Sequence, residues 1–321
     1  MVRKTVYCSR IIAAGFCVAM FAVMLSPCAV AQETIVGAGG VNAFSGRRAF
    51  LHLEAICDIG PRPTGSAGML RQKKMLIEYF RGQGAQVEEQ PFQIRDRRSG
   101  KSLQAANVII QWHPDRLQRV LLGAHFDTRP FPDRDPVNPK GVFVGANDGG
   151  SGVALLMELG KGVQLLPGPL GVDFILFDAE EYVFTTRDPY CLGSRWFARQ
   201  YVDRPPAHQY RMGVVVDMVA DKNLELWQEQ NGLSWPDTRP IVDSIWKTAS
   251  QMNVREFIPR PKWTIEDDHL PLRNVAKIPT CDIIDFDYPH WHTTQDIPEN
   301  CSGESLEIVG KVLLKWLQSI E

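Results

Sequence analysis

The feature that most constrains this chain is a short apolar segment, residues 174–178, that runs almost directly into two adjacent carboxylates, Glu180 and Glu181. Its length and its aromatic and branched side chains predict a buried strand. Two like charges at the end of a buried strand repel each other, and desolvation increases that cost. The pair fits a metal ligand beside a general base, and it equally fits acidic residues at a helix N-terminus.

Other ionisable residues favour the metal interpretation because they also follow predicted strands. His125 and Asp127 end one strand, Asp217 ends another, His292 follows a third after a loop, and Asp148 opens a helix. In open α/β sheets, ligands bind outside the carboxyl ends of the strands. Imidazole nitrogens and carboxylate oxygens together are a normal set of zinc ligands. The sequence therefore predicts a metal site at one edge of a sheet.

The order of predicted elements indicates the fold class. Helices predicted over 69–83, 152–160, 241–252 and 306–320 alternate with short apolar strands, and the connections are short. This alternation predicts an α/β protein with three layers: a mostly parallel, doubly wound sheet with helices on both faces. One longer connection, 131–143, is rich in Pro, Asp and Asn, and we expect it to form a lid or rim beside the site.

The N-terminus has the pattern of a secretory signal peptide. Arg3 and Lys4 precede a mostly apolar run over 11–25, and Ala29-Val-Ala31 is a small-x-small cleavage signal. The run is too short for a comfortable membrane span. We therefore expect cleavage after Ala31 and an exported protein, periplasmic or secreted, that is not held in a membrane after signal removal.

The remaining chain is long enough for one large domain. We expect residues 1–31 to be the signal peptide, residues 32–46 to be a flexible lead-in, and residues 47–321 to be a single catalytic domain. The formal net charge is −2, and no basic stripe runs through the sequence, which argues against nucleic acid as a partner.

Cysteine usage leaves the redox state open. Three of the seven cysteines precede the cleavage site, and the other four are Cys57, Cys191, Cys281 and Cys301. Export permits disulfides, and four cysteines allow three pairings. Buried free thiols are an equally good interpretation.

Six motifs together resemble a known family. Their order is that of zinc exopeptidases of the bacterial leucyl aminopeptidase type, and they are His125-Phe-Asp127, Gly145-Ala-Asn-Asp148-Gly149, Asp178-Ala-Glu-Glu181, Gly193-Ser-Arg195, Asp217 and Trp291-His-Thr293. Within that group the chain is most similar to the glutaminyl cyclases. The two features that point to this branch are Glu266-Asp-Asp-His269 before Leu270-Pro271, and Trp291 directly before His292.

The resemblance implies a role for each matching residue. A single zinc per chain would be held by Asp148, Glu181 and His292. Glu180 would be the general acid/base, within a carboxylate network that includes Asp217 and Asp267. Trp291 would line a pocket for the glutamine side chain. Residues implied to support this centre or to hold a second metal are His125, Asp127 and His269, with Asp127 orienting the ring of His125.

The reaction implied is the cyclisation of N-terminal glutamine. The α-amine of a peptide or protein would attack its own γ-carboxamide, polarised by zinc, and ammonia would leave. The chain departs from the animal enzymes at four positions: a disulfide is replaced by Ala124 and Val153, a pocket tryptophan by Thr186, and a supporting histidine by Asp282. These changes bear on pocket depth and substrate range, and they leave the metal ligands intact.

Two other functions remain open from the sequence. In a dizinc aminopeptidase, His125 and Asp217 would hold a second zinc, Asp148 would bridge the two ions, and Glu180 would activate water for hydrolysis. A binding domain without activity would also fit this scaffold, but it predicts lost ligands, and every ligand position is filled.

Overall fold

A computed structural model describes residues 44–320 of the chain. The helices of this part are α1 (Gly46–Cys57), α2 (Ala67–Gly82), α3 (Gly152–Val163), α4 (Leu192–Asp203), α5 (Gln230–Ser234), α6 (Arg239–Gln251), α7 (His269–Asn274) and α8 (Gly303–Ser319). The strands are β1 (Gln86–Arg95), β2 (Ser102–Trp112), β3 (Gln118–His125), β4 (Leu170–Phe177), β5 (Gln209–Asp217), β6 (Leu226–Gln228), β7 (Phe257–Pro261) and β8 (Thr280–Ile284).

Six of these strands form the central sheet, in the order β1-β2-β4-β3-β5-β8. The neighbours β4, β3, β5 and β8 are parallel, which confirms the predicted α/β class. At the other side of β4, β2 pairs with it in antiparallel orientation, and β1 pairs antiparallel with β2. The connection 96–101 between β1 and β2 is too short for a crossover, so these two strands form a hairpin. The sheet is therefore mixed.

Helices cover both faces of the sheet, as predicted. Along β3, Val120, Leu122 and Ala124 pack into the larger core with helices α1, α2, α3, α6 and α8. Leu121 points to the opposite face, where it joins a smaller core with α4 and α7. Every residue of β4 is buried. Burial on both faces explains why these strands are continuous apolar runs in the sequence and do not alternate.

The ends of the predicted elements shift for identifiable reasons. The predicted strand 174–178 is the second half of β4, which ends at Phe177, because Asp178 turns aside to accept hydrogen bonds from Ala106 N and Thr64 Oγ1. The closing helix begins at Gly303 because the Ser302 hydroxyl caps it by accepting from the backbone N–H of Glu304.

The N-terminal predictions lie mostly outside the described residues. The signal peptide, 1–31, lies entirely outside them, as does the lead-in up to residue 43. Phe44 is buried and Ser45 caps α1 by accepting from Arg48 N, so residues 44–46 of the predicted lead-in are packed against the fold. Within residues 44–320, no helix combines the length and the apolar character that crossing a membrane requires. The four cysteines of this part are buried free thiols.

Candidate metal centre and active site

The parallel strands bring the predicted site residues to one edge of the sheet. His125 ends β3, Asp217 ends β5, and the carboxylate pair follows β4 directly. The backbone turns sharply at this edge, because Ala179, Met218 and His292 all have positive φ, between 47° and 60°. Left-handed backbone is uncommon for residues other than glycine, and it often marks functional sites.

Asp148 reaches the same edge from an irregular turn, Asn147–Ser151. Gly149 within this turn has a φ of 79°, and a Cβ atom there would lie 2.3 Å from the carbonyl oxygen of Asp127, so only glycine fits. The buried carboxylate of Asp296 accepts hydrogen bonds from the backbone N–H groups of Asn147 and Asp148, at 2.7 and 3.1 Å. The close contact of Gly149 with Asp127 and the two hydrogen bonds to Asp296 thus fix the backbone of this turn.

Asp148 belongs to two groups of potential metal ligands. Its Oδ2 lies 3.4 Å from His292 Nε2, which is also 3.4 Å from Glu181 Oε2. Its Oδ1 lies 3.2 Å from His125 Nε2, which is also 3.2 Å from Asp217 Oδ1. Within each group, one ligand atom per residue lies within 4.8 Å of the others. The structure therefore brings together the candidate ligands for a single zinc and also those for the second zinc of a dizinc enzyme.

The first group, Asp148, Glu181 and His292, fits a divalent cation. All three side chains are buried, and Asp148 Oδ2 has no hydrogen-bond partner. Burial, together with the charge of Asp148, raises the pKa of Glu181 to about 7, so these surroundings disfavour the ionised form of Glu181. A bound cation removes this conflict. Two carboxylates and an imidazole are a set of donors that zinc accepts.

Glu180 occupies a different environment from its neighbour. Its backbone N–H donates to Asp127 Oδ1 at 2.9 Å, and its carboxylate accepts from the thiol of Cys191. Burial first, and then the charges of Asp267 and Asp268, raise the pKa of Glu180 well above its usual range, although His125 opposes this shift. A carboxyl group whose pKa is raised in this way holds a proton more readily than an exposed one, which suits a general acid/base.

The structure assigns clear positions to the supporting residues. The carboxylate of Asp127 accepts from the backbone N–H of Glu180 and of Glu181, and its Oδ1 lies 3.7 Å from His125 Nδ1. It therefore holds the turn of the carboxylate pair and also faces the imidazole ring of His125, as predicted for a residue that orients this ring.

His269 was predicted either to support the metal centre or to hold a second metal, and its contacts lie beside Asp267. Its Nε2 is 3.6 Å from Glu229 Oε2, and its Nδ1 is 3.6 Å from Asp282 Oδ2. The potential ligand group that contains it is formed with Asp267 and Asp282, and it does not include Asp148. Burial lowers the pKa of His269 to about 3, so the ring is neutral. His269 thus lies near Asp267 and Asp282, and it does not belong to the group formed by His125, Asp148 and Asp217.

A narrow cavity joins the candidate metal ligands to Glu180. Its lining residues are Asp148, Glu180, Glu181, Tyr190, Asp217, Met218, Ile265, Glu266, Asp267, Ile284, Phe286, Trp291 and His292. The ring of Trp291 lies 4.2 Å from that of His292 and 4.7 Å from that of Phe286. The guanidinium of Arg134 covers Trp291 at 3.8 Å. Thr186, which stands where the animal enzymes have a pocket tryptophan, is exposed and does not line the cavity. The aromatic ring of Tyr190 lines it.

The connection 131–143 reaches the site, as expected of a rim. The backbone N–H of Arg134 donates to the carbonyl oxygen of His292 at 3.1 Å, and Asp135 Oδ2 accepts from Thr294 N at 2.8 Å. These bonds fix the loop that carries His292.

Asp133, in the same connection, was not predicted as a site residue. Its Oδ1 lies 3.3 Å from His292 Nδ1, the ring nitrogen that faces away from the first ligand group. The guanidinium of Arg129 donates two hydrogen bonds to this carboxylate, at 2.7 and 2.9 Å. The backbone N–H of Arg129 donates to Glu181 Oε1. The segment 129–133 therefore contacts two of the three proposed ligands, Glu181 and His292.

We expect Asp133→Asn to lower zinc affinity by about 10- to 100-fold, because a carboxylate that accepts from the outer nitrogen of a ligand histidine fixes its orientation. Competition with a chelator of known affinity measures this. Asp115→Asn, the same change at an exposed residue outside the site, serves as the control. Equal zinc affinity in the two variants would show that Asp133 does not orient His292.

An α/β sheet with buried carboxylate and imidazole side chains grouped at the carboxyl ends of its parallel strands is the architecture expected of a metal-dependent α/β enzyme. The chain belongs to peptidase family M28, whose family model matches residues 107–317. This match covers the central strands and every proposed metal ligand.

Individual relatives confirm the resemblance to glutaminyl cyclases. The crystal structure of Fimbriiglobus ruber glutaminyl cyclase is 35% identical, with a TM-score of 0.82, and the alignment covers 87% of this chain and 96% of that chain. The glutaminyl-peptide cyclotransferase of Bothrops jararaca is 24% identical over 283 residues, 78% of this chain and 75% of the relative. A leucine aminopeptidase precursor from Bacteroides thetaiotaomicron is 30% identical, with a TM-score of 0.80 and 87% and 98% coverage.

Proposed function

We propose that this chain is a zinc-dependent glutaminyl-peptide cyclotransferase, which converts the N-terminal glutamine of peptides or proteins to pyroglutamate and releases ammonia. The observation that carries this proposal is the position of Trp291. Its indole lines the same narrow cavity as Glu180 and packs on the ring of the adjacent His292. The similarity to the glutaminyl cyclase of Fimbriiglobus ruber over nearly all of that chain supports it.

One zinc ion per chain would be held by Asp148, Glu181 and His292. Three protein ligands are typical of catalytic zinc, because a position remains for the substrate. When bound, the zinc supplies a Lewis acid for the γ-carboxamide of the substrate. The residues around it then have to position the α-amine and move its proton.

Glu180 would carry that proton. As the α-amine forms a bond with the γ-carbon, it loses a proton to the carboxylate of Glu180. The same proton then passes to the amide nitrogen, whose bond to the γ-carbon breaks, and ammonia leaves. Asp267 has a carboxylate oxygen within 4.8 Å of that of Glu180, and Asp217 lines the same cavity. Both would keep the proton within this group of carboxyls.

Trp291 would shape the substrate. A glutamine side chain is flexible, and cyclisation requires it to fold back until the amine meets the γ-carbon. Holding that geometry is a large part of the catalysis in such intramolecular reactions. A rigid aromatic wall beside a metal ligand suits this task, whereas a peptidase that accepts N-terminal side chains of arbitrary shape does not need one.

The proposed reaction is tested by incubating the purified protein with a peptide that begins with Gln. We expect ammonia release and a peptide product that is lighter by one ammonia and has every peptide bond intact. Release of the N-terminal residue as a free amino acid, without cyclisation, would overturn the proposal.

The variant Trp291→Ala should reduce cyclisation by about 10- to 100-fold, because the folded-back conformation is held less tightly. Its zinc content should equal that of the wild type, since the indole is not a ligand. Steady-state kinetics with a Gln peptide and elemental analysis measure the two quantities. Efficient release of N-terminal Leu by the wild type, unaffected by this change, would contradict the assigned role.

A dizinc aminopeptidase is the second candidate function, and a specific observation favours it. His125, Asp148 and Asp217 form a second buried group of potential ligands, and Asp148 directs one oxygen into each group. Elemental analysis separates the candidates. One tightly bound zinc per chain agrees with the cyclotransferase, whereas two zincs that are both needed for activity would establish the peptidase.

We also infer that the protein is exported and cleaved after Ala31. Cleavage there leaves Gln32 as the first residue, which is the residue type that the proposed reaction consumes. The exported protein should therefore begin at position 32, and its mass should be lower by one ammonia than the sequence requires. Intact-mass analysis of the wild type and of a Glu180→Gln variant tests both points. A mature chain that begins elsewhere would contradict the cleavage site.

A further inference from the structure

Cys191 has an unusual position for a cysteine without a disulfide. It is completely buried, and its φ of 59° places it in the left-handed region, at the residue that precedes α4. Its side chain does not cap the helix. Glycine would adopt this backbone at lower cost, so the presence of a side chain here requires an explanation.

The contacts of Cys191 converge on Glu180. Its backbone N–H donates to the carbonyl oxygen of Glu180 at 2.8 Å. Its thiol donates to Glu180 Oε1 at 3.3 Å. Cys191 therefore holds both the main chain and the carboxylate of the proposed base. Asp267 completes the group, because one of its carboxylate oxygens lies within 4.8 Å of the thiol and of Glu180.

The surroundings keep this sulfur protonated. Burial, followed by the charge of Glu180, raises the pKa of the Cys191 thiol well above its usual range. A protonated, inaccessible thiol is neither a good nucleophile nor a good metal ligand. It remains able to donate one weak hydrogen bond, and the carboxylate of Glu180 receives it.

We propose that Cys191 is a positioning residue for Glu180, whose carboxylate it orients toward the cavity through the S–H···O hydrogen bond. Glu180 has few other constraints on its side chain, because the remaining bonds reach its backbone. This inference rests on the proposed function only in that Glu180 is taken as the proton carrier. A weak donor suits the task, because it orients the carboxylate without holding it as strongly as a hydroxyl would.

Two substitutions separate this role from a structural one. Cys191→Gly removes the thiol and relaxes the left-handed backbone, which offsets the lost packing of a small buried side chain, so the fold should be retained. We expect kcat to fall by about tenfold, the usual scale for one hydrogen bond, with KM and zinc content unchanged. Cys191→Ser restores a donor at the same place, and its kcat should stay within about threefold of the wild type.

The kinetic comparison uses whichever N-terminal Gln or Leu peptide the wild type turns over, so a wrong substrate assignment does not affect it. An unchanged kcat in Cys191→Gly would show that the thiol has no functional role. A lower zinc content in that variant would show that Cys191 acts on the metal site and not only on the carboxylate of Glu180. Either result overturns the proposal.

A spectroscopic measurement tests the hydrogen bond without turnover. The infrared S–H stretching band of Cys191 is identified as the band that the wild type has and Cys191→Gly lacks. Glu180→Gln should shift this band, because a neutral amide accepts more weakly than a carboxylate. A band that does not move would show that the thiol does not donate to Glu180, and it would overturn the proposal whatever the reaction proves to be.

Discussion

Glu180→Gln is expected to bind zinc and fold like the wild type, while its turnover falls by about 10²–10⁴-fold. The amide has the shape of the carboxylate but cannot accept the proton of the attacking amine. The backbone N–H of residue 180 still donates to Asp127 in the variant, so the turn at the end of β4 is retained. The loss should appear mainly in kcat, because the missing interaction forms as the proton moves.

Glu181→Gln provides the contrasting result. This residue forms the first ligand group with Asp148 and His292, so removing its charge should lower zinc affinity by more than about a hundredfold, a larger effect than that of altering a supporting carboxylate. Saturating zinc should restore part of the activity of Glu181→Gln and none of that of Glu180→Gln.

The same substitution outside the site controls for the loss of one charge. Glu88 is exposed on the edge strand β1. The turnover and the zinc content of the variant Glu88→Gln should therefore match those of the wild type. If Glu180→Gln loses its zinc and Glu181→Gln keeps it, the roles of the two carboxylates are reversed.

Removal of zinc is expected to destabilise the protein more at pH 8 than at pH 5. In the metal-free protein, burial and the neighbouring Asp148 raise the pKa of Glu181 to about 7. Burial lowers the pKa of His292, but Asp133 and Glu181 outweigh this effect and raise the pKa to about 9. Protons on these two groups compensate the buried negative charge when no cation does.

The direction of the effect follows from proton linkage. Between pH 4.5 and pH 7, the folded metal-free protein holds a proton on Glu181 that the unfolded chain has released, so stability falls as the pH rises through this range. The shift of the pKa of Glu181 from 4.5 to about 7 corresponds to about 3 kcal/mol in the free energy of unfolding of the metal-free protein. This contribution is fully lost above pH 7. The contribution of His292 is present below its unfolded pKa of 6.5 and is lost as the pH rises through about 9.

Thermal unfolding with and without a chelator, at pH 5, 6, 7 and 8, measures this dependence. Zinc keeps Glu181 ionised throughout, so the increase in Tm that zinc produces should grow steadily with pH. Zinc binding also displaces protons from its ligands, and this acts in the same direction. A larger increase at pH 5 than at pH 8 would contradict the ligand assignment.

Much of the fold and the candidate site follows from the sequence because parallel strands place their carboxyl ends together. Once the apolar segments before His125, Glu180 and Asp217 are interpreted as parallel strands, the rules of α/β sheets bring these residues to one edge. Their chemistry then indicates a metal. No distance between side chains is needed for this step.

The residues that were not predicted depend on tertiary contacts between distant loops. Asp133 contacts His292 across a large separation in sequence, and nothing in its own surroundings distinguishes it from a turn aspartate. Cys191 was predicted to be either part of a disulfide or a buried free thiol. Its contact with Glu180 could not be predicted, because this hydrogen bond depends on how the chain folds back before α4. The strand β7 was also missed, since it is short and mostly exposed and contains two prolines.

Four residues with left-handed backbone surround the active site: Ala179, Cys191, Met218 and His292. Conformations of this kind cost about 1–3 kcal/mol each when the residue is not glycine. A laboratory evolution experiment that selects only for heat tolerance should therefore accumulate glycine at Ala179, where only a methyl group is lost. The same replacement would loosen the turn that aims Glu180. Selection for heat tolerance and selection for turnover should thus favour different residues at this position.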